Sequence, residues 1–201
     1  MEAFLTSTTL VAIAEIGDKT QLLSFVLAAR LRKPLPIIAG IFVATVLNHA
    51  LAGSVGVWLA QLIAPQWLPW ITGTVFVVFG LWALHPDSLD EAPTLHRAGA
   101  FVTTCIAFFI AEMGDKTQFA TMALAAQFQG ALVAVVMGTT LGMMLANVPA
   151  VIVGERLAKR LPLKLIRWMA AAVFIATGIV TMLGAPGLPV QAGKFLAVRV
   201  P

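Results

Sequence analysis

A seven-residue string, Glu15-Ile16-Gly17-Asp18-Lys19-Thr20-Gln21, returns 97 positions later as Glu112-Met113-Gly114-Asp115-Lys116-Thr117-Gln118, with six of its seven residues unchanged. The flanks repeat at the same offset: Phe4 with Phe101, Thr6 with Thr103, Ala14 with Ala111, and Ala28-Ala29 with Ala125-Ala126. The chain is an internal duplication, so its fold must place two copies of one unit. Both strings lie inside long apolar stretches, yet together they hold four of the nine acidic residues and two of the thirteen basic ones.

Those stretches set the class. At 60% hydrophobic and 11% charged, the 201 residues depart far from a soluble domain, where about 25% charged is usual. The mean hydropathy is +0.94. Apolar runs of roughly 18 or more residues with short polar joints predict an all-α membrane protein of six transmembrane helices. The spans fall at about 4–29, 35–62, 68–85, 98–127, 130–153 and 165–184. No basic segment precedes the first run, which carries the motif, so it is expected to be retained rather than cleaved as a signal peptide. Cys105, the only cysteine, excludes an intrachain disulfide and a cysteine metal cluster.

Basic residues mark the joints. Arg30, Arg32 and Lys33 follow the first span, Arg97 precedes the fourth, and Arg156, Lys159, Arg160, Lys164 and Arg167 follow the fifth. Joints two and four carry none. Lys and Arg in short joints favour the cytoplasm, so the odd joints face inward and both termini lie outside. The net charge of +4 is therefore a topology signal and not a sign of a nucleic-acid partner. Trp58, Trp67 and Trp70 are expected at the outer interface, and Trp82 and Trp168 at the inner one.

Three spans per copy is an odd number, so the copies enter the bilayer from opposite sides. The expectation is one transmembrane domain of two inverted three-helix repeats, about 1–85 and 98–185. An acidic cytoplasmic joint at about 86–97 connects them, and a short Gly/Pro-rich tail follows at 186–201. In such folds, ion sites sit near the midplane between the repeats. Glu15 and Glu112 each lie 11 residues past a matched Phe, roughly 16 Å deep at ~1.5 Å per residue, about half of a ~30 Å core.

Charges at that depth cost at least about 2.5 kcal/mol each, which marks Glu15, Asp18, Glu112 and Asp115 as functional. On a continuous helix each Glu and Asp, three apart, share a face. Facing each other, the copies present four carboxylates, with Thr20, Thr117, Gln21 and Gln118 in support, a set suited to a hard divalent cation. Lys19 and Lys116 stand four residues after Glu15 and Glu112, the favourable order for a local ion pair. A structural Glu–Lys stitch would therefore be an alternative role, but it leaves the aspartates unexplained. Four acids against two lysines leave −2, which one divalent cation or two protons would neutralise. Asn48 and Asn147, at roughly corresponding places in the second and fifth spans, are candidates to complete the site. His49 is read more readily as a histidine bonded to a neighbouring helix than as a ligand. Gly17 and Gly114 could let their helices unwind or approach closely, with plain helix packing an equal alternative, and Gly138 and Gly142 have the spacing of close helix packing. His85, His96, Asp87, Asp90 and Glu91 are read as solvated surface.

The twin Glu-x-Gly-Asp-Lys-Thr strings resemble the small cation/proton exchanger family with paired E-x-G-D-[KR]-[TS] signatures, whose members include bacterial manganese exporters and Golgi calcium/manganese transporters. The likeness covers about residues 1–184. It implies that Glu15, Asp18, Glu112 and Asp115 bind the cation, and that Mn²⁺ or Ca²⁺ is exchanged for protons across a prokaryotic plasma membrane. The partners are then the transported ion, protons and the bilayer, with no prosthetic group. Manganese export is the first expectation and calcium/proton exchange the second. A metal-dependent intramembrane enzyme acting on lipid phosphates is a third, disfavoured because its acids should lie at an interface. A structural scaffold would leave the buried acids without a role.

Overall fold

Glycine at the third position of each string interrupts what the hydropathy alone draws as one span. Gly17 and Gly114 take φ values of 85° and 75°, where a side chain is strained, and the helix stops on either side of them. In this computed structural model, which describes residues 1–85, 99–153 and 162–184, the first span is therefore two helices, α1 (Glu2–Glu15) and α2 (Lys19–Leu31). The fourth is likewise α5 (Ala100–Glu112) and α6 (Lys116–Gln127). The remaining helices follow the expected spans closely: α3 (Pro34–Leu62), α4 (Leu68–Trp82), α7 (Leu132–Val153) and α8 (Leu163–Leu183). No strand occurs among the described residues.

Local chemistry accounts for the ends. Arg32 turns left-handed (φ 51°) and donates its N–H to the Ala28 carbonyl, closing α2, and Pro34 opens α3 where its missing N–H is harmless. The tight Gln127–Gly130 joint is as expected, with Gly130 at φ 86°. The acidic third joint from Pro86, with Asp87, Asp90, Glu91, His96 and Arg97, lies outside the described residues. So do Arg156, Lys159, Arg160 and the tail. His85 is exposed, as read.

The distribution of polarity is that of a protein in lipid. Large apolar side chains such as Leu47, Leu51, Met137, Leu145 and Ile152 face outward, while Ser7, Thr45, Asn48, His49, Thr103 and Asn147 are buried. A water-soluble fold could not leave so much apolar surface uncovered. All five tryptophans are exposed, which excludes them from the core. Helix α3, helix α7 and residues Lys164–Leu183 of α8 are each long and apolar enough to cross a membrane, and α4 and α5 are shorter apolar helices. The helices of the first and fourth expected spans fall below that length, because each of those expected spans is divided between two helices.

The packing crosses between the copies. Helix α7 lies along α1 and α2, α3 lies along α5 and α6, and α4 packs on α8. Gly138 and Gly142 permit the first contact: a Cβ on either would stand 2.5 Å from the Phe4 carbonyl oxygen or 2.7 Å from that of Thr8. Gly40 plays the matching part against the Phe101 carbonyl. Phe76 and Phe174 stack between α4 and α8 with centroids 6.3 Å apart. Each long helix is thus built onto the broken pair of the other half, which brings the two breaks together.

Candidate cation site

The two breaks are conformational copies. Ile16 and Met113 are extended (φ −69°, ψ 113° and φ −65°, ψ 119°), the glycine is left-handed, and Asp18 and Asp115 are extended again (φ −78°, ψ 167° and φ −83°, ψ 163°). One set of side-chain bonds holds both. Gln21 Oε1 accepts the Gly17 N–H at 2.9 Å, and Gln118 Oε1 accepts that of Gly114 at 2.7 Å. The Thr20 hydroxyl donates to Glu15 Oε2 at 2.6 Å, and the Thr117 hydroxyl to Glu112 Oε2 at 2.9 Å.

This geometry corrects two expectations that assumed a continuous helix. Glu and Asp of one string do not share a helical face, because the helix between them is broken. Nor does either lysine pair with the glutamate four residues before it. Lys19 Nζ instead meets Asp115 Oδ1 at 3.1 Å, and Lys116 Nζ meets Asp18 Oδ1 at 2.5 Å. The pairs run between the copies. Asp18 and Asp115 occupy N-cap positions, where aspartate usually accepts a backbone N–H, yet neither side chain makes a cap bond. Both carboxylates are turned toward the opposite lysine.

The glutamates are left facing one another. One ligand oxygen from each of Glu15, Glu112 and Asp115 lies within 4.8 Å of the others, and all three residues are buried. Glu15 Oε1, Glu112 Oε1 and Asp115 Oδ2 have no hydrogen-bond partner. Buried carboxyl oxygens without partners are costly, and a hard cation satisfies them. Twice a Ca–O distance of ~2.3–2.6 Å is about 5 Å, so one such ion can span oxygens at this spacing. Asp18 is not in that group and stands beside it, paired with Lys116.

The two candidate amides brace the breaks. Asn48 donates to the Phe109 carbonyl at 3.1 Å and accepts from Gln118 Nε2 at 3.5 Å. Asn147 accepts from the Ser24 hydroxyl at 2.7 Å and donates to the Met143 carbonyl, while Gln21 Nε2 reaches the Ala146 carbonyl at 3.0 Å. Ser24 was not singled out by sequence; its spacing of three from Gln21 on α2 was the available signal. His49 is fully buried with neither ring nitrogen hydrogen-bonded, and it is not part of the acidic cluster.

An all-helical fold with an apolar exterior and a polar, acidic centre is that of a multi-pass membrane protein. The profile of the family described as divalent cation/proton antiporter GDT1 matches the chain twice, over residues 3–91 and 100–188, once on each copy of the duplication. A Vibrio cholerae protein named "Putative manganese exporter" is 51% identical over 181 residues, 90% of each chain. "GDT1-like protein 5" of Oryza sativa subsp. japonica is 26% identical over 224 residues (91% of this chain, 95% of the relative). Its Arabidopsis thaliana namesake is 27% identical over 222 residues (91% and 96%). No solved structure matches. The protein belongs to the GDT1 family of divalent cation/proton antiporters, a family of transporters and not of enzymes.

Proposed function

We propose that the protein exports Mn²⁺ from the cytoplasm of a prokaryote in exchange for protons, through one site shared by the two motifs. The observation that carries the reading is the trio of buried, unpartnered carboxyl oxygens on Glu15, Glu112 and Asp115, drawn from both breaks. The name of the Vibrio relative supports manganese as the cargo. The cargo binds as the doubly charged ion to deprotonated glutamates whose second oxygens are fixed by Thr20 and Thr117. Two protons replace it on the return. Both loaded forms then carry the same charge, so neither meets an added electrostatic barrier in the bilayer. Asp18 and Asp115, tied to the lysines, hold the breaks in register. The membrane arrangement is six spans in two inverted repeats, α1–α2 and α5–α6 each counting as one broken span, with both termini outside.

Helices broken at the midplane are a recurrent means of exposing ligands in secondary transporters, which supports this arrangement. A calcium/proton exchanger of the same design is the second reading, favoured by an all-oxygen cluster with no soft ligand. The test is proton flux in proteoliposomes driven by Mn²⁺, Ca²⁺ or Mg²⁺, with wild type, Glu15→Gln and Glu112→Gln. Mn²⁺-dependent flux lost in both variants is the expected result. Flux that survives either one defeats the shared site, and no flux with any divalent ion defeats the exchange mechanism.

A further inference from the structure

The two breaks have the same backbone but different surroundings. Around the second, Met113 is 58% exposed, Gly114 is exposed, and Lys19, which pairs across to Asp115, keeps 25% of its side chain accessible. Around the first, Ile16 and Gly17 are half-buried and the Lys116 side chain is 8% exposed. Between the first break and helices α4 and α8 lies a small cavity of about 10 Å³, room for about one water, whose walls include Gly17, Asp18, Ala83, Lys116, Arg167 and Ala170. Arg167 is the one member of that wall whose role the cation site does not explain.

Arg167 has no counterpart in the other half. In α4, Trp70, Phe76 and Gly80 are spaced as Trp168, Phe174 and Gly178 are in α8, an offset of 98, so the place of Arg167 is taken by Pro69. The duplicated architecture therefore does not require an arginine there. Ala83 closes α4 and Arg167 stands in the first turns of α8, so the cavity lies between Asp18 and the ends of those helices that adjoin joints three and five. The basic residues of both joints place that end in the cytoplasm. A fixed guanidinium, charged at every accessible pH, repels a divalent cation arriving past Asp18.

We propose that Arg167 is a gate on the cytoplasmic path to the cation site. Its charge raises the cytoplasmic cation concentration needed to load the acids and leaves access from the other face unaffected. The inference rests on the antiporter reading and deepens it, since it makes the exporter run only when its cargo is in excess. The path through the second break has no second arginine in the matching place, so the two faces differ in apparent affinity although the motifs are alike.

Sided transport tests this. Everted vesicles present the cytoplasmic face to added Mn²⁺, and right-side-out vesicles present the other. In Arg167→Gln, half-saturating Mn²⁺ on the cytoplasmic face should fall on the order of fivefold, with the opposite face changed by less than about twofold. Arg167→Lys, which keeps the charge, should behave as wild type on both. If Arg167→Gln does not fold, Arg167→Cys in a Cys105→Ala background replaces it. There a cationic methanethiosulfonate should restore the wild-type value, and a neutral one should not. Equal shifts on both faces, or no shift in vesicles whose wild-type protein transports Mn²⁺, overturn the gate and leave the antiporter standing. Wild-type vesicles that move no divalent cation would instead remove the transport reading beneath it.

Discussion

The crossed ion pairs make a quantitative prediction because they differ in burial. Lys116 and Asp18 are 8% and 0% exposed, and Lys19 and Asp115 are 25% and 3%. At about 3 Å and an effective dielectric of ~20, the gross attraction of either pair is roughly 5 kcal/mol, much of it offset by the desolvation of both ions. The more buried pair should keep a coupling of about 3 kcal/mol, within the range measured for close, shielded charge pairs. The more accessible pair should keep about 1 kcal/mol. The perturbation is a double-mutant cycle with Asp18→Asn, Lys116→Met and the double variant, run beside the same cycle on Lys19→Met and Asp115→Asn. Each single change removes one end of a pair and leaves the other end charged, whereas the double removes both charges. Thermal unfolding in detergent, followed by fluorescence-detected size exclusion, reads the result. For a chain of this length about 2–4 °C corresponds to 1 kcal/mol, so the first double variant should recover roughly 6–12 °C over the sum of its singles. Additive effects in the Asp18–Lys116 cycle, or a larger coupling between Lys19 and Asp115, would refute the reasoning.

Two further outcomes follow from the breaks. Gly114→Ala meets no atom within 4 Å of the added Cβ, so its whole effect is backbone strain at φ 75°. It should cost about 1–2 kcal/mol and lower the melting temperature by roughly 2–8 °C; an unchanged melting temperature would show that the break does not need the left-handed residue. Thr20→Val removes the hydroxyl from Glu15 Oε2, a charge-assisted bond, and should weaken Mn²⁺ binding by about tenfold in calorimetric titration. Thr20→Ser should retain the affinity, and equal losses in both variants would assign Thr20 to packing instead.

The duplication made much of this legible. Identity at 97 positions' spacing named the four acids, and hydropathy located the ends of the six expected spans to within a few residues. What it left open was the break itself, since Gly17 and Gly114 suit unwinding and close packing alike. Periodicity sees Phe4 through Ala29 as one apolar run because only Gly17 and the charged trio around it interrupt the pattern, and a glycine within a helical run is as readily a packing device. The ion pairs turn on the answer. Spacing of four joins Glu15 to Lys19 only while the helix continues, and once residues 16–18 leave the helix, Lys19 is aimed at the other copy. Asn48 and Asn147 were found by their polarity in an apolar context. Their use depends on the crossing of α3 over α5–α6 and of α7 over α1–α2, which no local pattern encodes.

The crossing explains why the motif carries a lysine at all. A lysine four residues after a glutamate in an unbroken helix would neutralise the carboxylate that the proposed cargo site uses. Exchanged between copies, it neutralises the aspartate of the partner break instead, and Thr20 and Thr117 hold one oxygen of each glutamate, leaving the other unpartnered. Two of the four acids are thereby committed to the lysines, and the −2 of the motif pair resides on Glu15 and Glu112 when both are ionised. Glycine, aspartate, threonine and glutamine recur together because each serves one contact of this arrangement: the turn, the cross-pair, the glutamate clamp and the cap on the glycine N–H. Changing any one in a single copy should therefore disturb the shared centre, not only its own half, because every cross-pair has an end in each.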